Sequence, residues 1–100
     1  MNFKIRHSVI FKLNHPKGSP EAKAFFEEAR KLAAIEGVNR FESLLEVSPK
    51  NNFDYGLSME FDSPQAYKAY QNDPSHSSFV QDFWIPNVKE FLEIDFELME

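Results

Sequence analysis

The sequence predicts a single α+β domain of order βαββαβ: a ferredoxin-like antiparallel sheet with both helical regions on one face. Three observations predict it. Apolar residues alternate with a period of two in four segments. Between the first and second of these, and again between the third and fourth, the period lengthens to three and four. The helical stretches open on Ser19-Pro20, Ser63-Pro64 and Asp73-Pro74.

From Phe3 to Leu13 the odd positions are Phe3, Ile5, His7, Val9, Phe11 and Leu13, a strand face that is apolar except at His7. Pro16 and Gly18 break the pattern, Ser19 is placed to cap a helix, and Pro20 fills its first position. Ala22, Phe25, Phe26, Ala29, Leu32 and Ala33 then share one helix face, and Gly37 stands where a left-handed residue stops a helix. Residues 39–48 alternate again, with Phe41, Leu45 and Val47 opposite Arg40, Glu42 and Glu46. The Pro-Lys-Asn-Asn run at 49–52 reads as a hairpin connection to a third strand carrying Phe53, Tyr55, Leu57, Met59 and Phe61. Ser63-Pro64 begins the second helical region, Asp73-Pro74 restarts it, and Phe79, Val80, Phe83 and Trp84 fall on one side. Pro86 ends it. Leu92, Ile94, Phe96 and Leu98 then alternate with Glu93, Asp95 and Glu97 in a fourth strand.

Ile10 and the Leu92–Leu98 stripe cannot share the side of the odd stripe of strand one without losing alternation. They predict a second apolar face, which two sheets packed face to face as a homodimer bury. The need is real for a chain of 100 residues, whose core alone gives marginal stability.

Composition excludes several classes. With 42% hydrophobic and 15% aromatic residues the chain is a folded globule. It has no cysteine, hence no disulfide or thiolate site. The net charge is −5 and the Lys and Arg residues are scattered, which argues against a nucleic-acid partner. No unbroken apolar run suits a membrane span or leader, so a cytoplasmic protein is expected. Three histidines lie in no metal-ligand spacing, and no motif calls for a cofactor.

The chemistry-bearing residues gather around Tyr70–Phe79, YQNDPSHSSF. His76 falls at the third position of the helix that Asp73 caps, where the positive end of the dipole disfavours imidazolium and leaves a neutral base. Tyr70 ends the preceding half-helix. His7 is the lone polar residue on its strand face, and Glu93, on a strand expected beside strand one, is placed to orient it. Each has a plainer reading beside this one: a helix-start hydrogen bond for His76, core packing for Tyr70, a satisfied core histidine for His7.

The run FDYGLSMEFDSPQAYKAYQNDPSHSSFVQDFW from Phe53, with EIDFE from Glu93 and RHSVIFKL from Arg6, resembles the stress-responsive A/B barrel family. The resemblance implies two ferredoxin-like protomers pairing into a dimeric α/β barrel. It extends to an enzymatic member, plant olivetolic acid cyclase, whose cofactor-free chemistry it maps onto His76 as base and Tyr70 as the group orienting a substrate carbonyl. His7 then lines the cavity, with Phe25, Phe26, Leu57 and Phe79 as walls. Where the cyclase pocket has a histidine, a tyrosine and an isoleucine, this chain has Asp73, Ala29 and Glu93, which implies a pocket of different shape and polarity. The function expected is a homodimer binding a small, partly apolar ligand in a helix-sheet cleft. The alternatives are a cofactor-independent cyclase-like enzyme and an assembly module with no pocket.

Overall fold

In the computed structural model, which describes residues 3–99, the chain runs β1 (Ile5–Leu13), α1 (Pro20–Arg30), β2 (Asn39–Leu45), β3 (Tyr55–Phe61), α2 (Pro64–Gln71), α3 (Pro74–Phe79) and β4 (Val88–Glu97). The sheet order is β2-β3-β1-β4 with every neighbouring pair antiparallel. Each βαβ unit is thus split by an inserted strand, the ferredoxin-like arrangement. Side chains alternate across the pleat, so His7, Val9, Phe11 and Leu13 are buried beneath the helices while Arg6, Ser8, Ile10 and Lys12 are half-buried on the other face.

The three proline-led helix starts form as the sequence predicts. Ser19 Oγ accepts from the Ala22 N–H, Ser63 Oγ from Ala66 and Asp73 Oδ1 from Ser75. Each proline lacks only an N–H that would have no partner within the helix. Ala22, Phe25 and Ala29 bury the inner face of α1 against Phe11, Leu57 and Met59 in one aromatic-rich core.

Several boundaries differ from the sequence reading. The first helix gives way at Lys31–Ala34 to a tighter 3₁₀ turn, and Ile35 is already extended. Gly37 (φ 93°) therefore caps no helix; it supplies the left-handed position of the following turn, closed by the Val38 N–H donating to the Ile35 carbonyl at 3.2 Å. β2 stops at Leu45, leaving Val47 86% exposed, and Arg40 (φ 53°) sits in an irregular register between Asn39 and Glu42. The hairpin connection spans 46–54, longer than the Pro-Lys-Asn-Asn run, because the Glu46 carboxylate accepts from the Ser48 N–H and the Asn51 amide and rolls the loop up. After α3 the helix widens over Val80–Trp84 into a π-helical turn, with the Ile85 N–H donating to the Val80 carbonyl, before a last turn at Ile85–Asn87.

The face away from the helices carries Leu44, Leu92, Ile94 and Phe96, all exposed, beside Ile10. The ion pair of Arg6 and Glu60 lies on the same face; Arg6 donates to the Glu60 carboxylate and holds its pKa below the usual value. The second apolar face predicted by alternation is present. No helix among the described residues is long and apolar enough to cross a membrane.

Candidate functional site

β1 and β4 set the floor of the site. Register pairs His7 with Asp95 and Val9 with Glu93, so His7, Asp95 and Glu93 all stand on the helix side of the sheet. His7 Nδ1 lies 2.6 Å from Asp95 Oδ1, and the Tyr67 hydroxyl, one turn before Tyr70 on α2, donates to Asp95 Oδ2 at 2.9 Å and lies 3.0 Å from the same ring nitrogen. A carboxylate accepts and cannot donate, so a proton belongs on His7 Nδ1, and in the neutral ring Nε2 is the nitrogen left as acceptor.

The break between α2 and α3 sets the wall. Tyr70 closes one half-helix and His76 opens the next, and their rings are in tilted contact, with centroids 4.6 Å apart and planes inclined at 53°. Tyr70 is buried against Phe61. Its phenol pKa is raised, chiefly by burial and secondarily by the Glu93 charge, so the hydroxyl stays a proton donor. The His76 pKa is lowered, again chiefly by burial, while the Gln71 backbone, Glu93 and Asp73 act in the opposite sense. Desolvation thus adds to the helix start named above in keeping the ring neutral.

His7, Tyr70, His76 and Glu93 border a cavity of about 400 Å³, whose apolar wall includes Leu57, Met59, Phe79 and Trp84. Among the described residues, Tyr55 Oη is the one buried side-chain polar atom without a partner. His7 Nε2 and Tyr70 Oη make no hydrogen bond to the protein among those residues, so both are open to the cavity. A chemically useful arrangement results: an apolar slot with a neutral imidazole, a second imidazole held in one tautomer, and a protonated phenol. A module built for assembly alone needs no such slot.

Of the residues singled out from sequence, His7, Leu57, Tyr70, His76, Phe79 and Glu93 all line this cavity. Phe25 and Phe26 do not. Consecutive helical positions point about 100° apart. Phe25 goes into the core against Phe11 and Phe79, and Phe26 turns to the far side of α1 against Tyr55. Glu93 is not the partner that orients His7; the register gives that place to Asp95, two residues on. Sequence reasoning missed Asp95 and the Tyr67 hydroxyl. The alternation of β4 already put Asp95 opposite Ile94 and Phe96, but choosing between Glu93 and Asp95 requires the strand register. A larger concavity of about 1020 Å³ lies beyond α1, but it holds no histidine. The chemistry gathers in the smaller one.

A model of the family described as Stress responsive A/B Barrel Domain matches residues 5–98. Among solved structures, a Dabb family protein with a ferredoxin-like fold from Mesorhizobium loti is 44% identical over 100% of both chains, with a TM-score of 0.95. A dimeric ferredoxin-like protein of unknown function from Thermobifida fusca is 21% identical over 98% of this chain and 93% of its own, with a TM-score of 0.81. A hydroxynitrile lyase from Passiflora edulis is 13% identical over 98% and 95%, with a TM-score of 0.86. At the last two identities the likeness is one of fold. A comparison with curated proteins gives no match.

Proposed function

Because this chain belongs to the stress responsive A/B barrel domain family, we propose that it works as a cytoplasmic homodimer whose protomers each bind a small, partly apolar carbonyl compound between sheet and helices. One observation carries the reading: His7, Tyr70 and His76, from three different elements, border one apolar cavity of about 400 Å³. That volume is within the roughly 300–1,000 Å³ of small-molecule sites, and a few polar groups in an apolar wall are what such sites use to fix orientation. The dimer is supported by the exposed apolar sheet face and by similar structures described as dimeric.

Acetophenone, an apolar ring with one carbonyl, is a suitable probe. In an NMR titration it is expected to shift the signals of His7, Tyr70 and His76, and Tyr70→Phe is expected to weaken binding about tenfold, the worth of one hydrogen bond. Saturating acetophenone that leaves those signals unmoved contradicts the proposal.

A second, catalytic reading is favoured by the Tyr70–His76 contact. A neutral His76 takes a proton from the carbon beside the carbonyl, the electron pair moves onto the oxygen, and the Tyr70 O–H donates to the resulting enolate. A positioned base of this kind contributes roughly 10²–10⁴-fold. Exchange of the acetophenone methyl protons in D₂O tests it: acceleration by the parent and not by His76→Ala is expected, and equal rates with both eliminate the catalytic step.

A further inference from the structure

We infer that the ligand of the His7–Tyr70–His76 cavity carries a cationic amine besides its carbonyl, and that Glu93 is the residue that selects it. The inference rests on the reading of this cavity as a carbonyl-binding site and deepens it. Register sets Phe91, Glu93 and Asp95 in a row on the helix side of β4, beside Phe11, Val9 and His7 of β1. The two carboxylates of the row differ in what they do. Asp95 engages one oxygen with His7 and the other with Tyr67. Glu93 lines the cavity, is exposed, and forms no ion pair among the described residues.

Two further features give that carboxylate a ligand of one sign. First, neither Lys nor Arg lines the cavity, so Glu93 is the one acidic or basic side chain there besides the two histidines. Its charge is felt inside: it acts to raise the pKa of both Tyr70 and His76. An apolar slot that holds a carboxylate and no cation repels an anionic guest and attracts a cationic one. Second, Glu93 stands next to aromatic rings. Phe91, two residues before it on the same face of the strand, is 54% exposed, and Trp84 meets it edge-on with centroids 5.6 Å apart. Both rings line the cavity with Glu93. A carboxylate beside open aromatic rings suits an ammonium, which takes a charge-assisted hydrogen bond from the one and a cation–π contact from the other. The ligand then lies with its carbonyl at the Tyr70 hydroxyl, its apolar body on Leu57 and Phe79, and its amine at Glu93.

Three probes share one ring and one carbonyl and differ only in charge: para-methylacetophenone, para-(aminomethyl)acetophenone and para-acetylbenzoate. Their affinities for the full chain are measured by NMR titration at neutral pH and low salt. The parent is expected to bind the amine about tenfold more tightly than the methyl compound, the combined effect of an exposed ion pair and a cation–π contact, and the benzoate least well. In Glu93→Gln the ratio of amine to methyl affinity is expected to fall close to one, and in Glu93→Lys the benzoate is expected to outrank the amine. Taking ratios within each variant removes any change in the folded fraction. Equal binding of the amine and methyl probes by the parent overturns this inference and leaves the carbonyl-binding reading standing. A preference for the amine that survives in Glu93→Gln also overturns it, by placing the discrimination elsewhere. Failure of all three probes to bind refutes both.

Discussion

His7 on β1 and Asp95 on β4 face each other across neighbouring strands with Nδ1 and Oδ1 2.6 Å apart, and the Tyr67 hydroxyl closes the triangle from above. Sheet register makes the pair and a helix locks it. The consequence is a buried imidazole with one fixed tautomer and its free nitrogen turned to the cavity.

Replacing Asp95 tests that lock. Asp95→Leu leaves the ring nitrogen with the tyrosine oxygen alone, so we expect a loss of about 1–2 kcal/mol and a second tautomer of His7 visible in its ¹⁵N signals. Asp95→Asn keeps an acceptor and is expected to retain the Nδ1–H form. A single unchanged tautomer in Asp95→Leu contradicts the role given to the carboxylate.

Tyr70 separates packing from chemistry. The residue is 2% exposed and lines the cavity, and its hydroxyl makes no hydrogen bond to the protein among the described residues. Tyr70→Phe is expected to keep the melting temperature within a few degrees, whereas Tyr70→Ala empties the space against Phe61 and costs about 3–5 kcal/mol. Denaturant titrations of the two variants give the comparison, and similar losses for both would refute the division.

The pH dependence follows from His76. Its folded pKa is depressed by burial, so below the ordinary imidazole value the unfolded chain takes up a proton that the folded chain resists. Its contribution to stability is therefore complete above pH of about 6.5 and is lost as pH falls through the folded pKa. Proton NMR is expected to find His76 titrating below the usual histidine range, and His76→Gln to flatten the stability profile in that interval. A normal or elevated value reverses the prediction.

The proposed homodimer assembles through the sheet face away from the helices. Ile94 and Phe96, 37% and 50% exposed, lie on the face where the proposed homodimer packs its second sheet. Ile94→Asp is expected to convert a dimer into a monomer in sedimentation at micromolar concentration, and to lower the melting temperature. A parent protein that is already monomeric there contradicts the homodimer.

Legibility from sequence followed the range of the interactions. The strands, the proline-led helix starts and the apolar second face rest on local periodicity and capping, and Ser19, Ser63 and Asp73 each cap as the sequence predicts. Helix and strand ends are less legible, because the apolar periodicity runs on through the 3₁₀ turn at Lys31 and the irregularity at Arg40 without a break. The site divides along the same line. His7, Tyr70 and His76 stand out as polar residues at apolar or capping positions. Phe25 and Phe26 both belong to the apolar stripe of α1, yet the roughly 100° between them gives them different neighbours. Asp95 is one of the three acids Glu93, Asp95 and Glu97 that share a stripe of β4, and only register sets it opposite His7.

The most direct measurement of the central claim is a crystal structure of the protein soaked with acetophenone. The account predicts the ring between Leu57 and Phe79, with its oxygen one hydrogen bond from the Tyr70 hydroxyl and within reach of His76. An empty cavity in crystals that demonstrably took up the compound, or a probe seated only beyond α1, contradicts it.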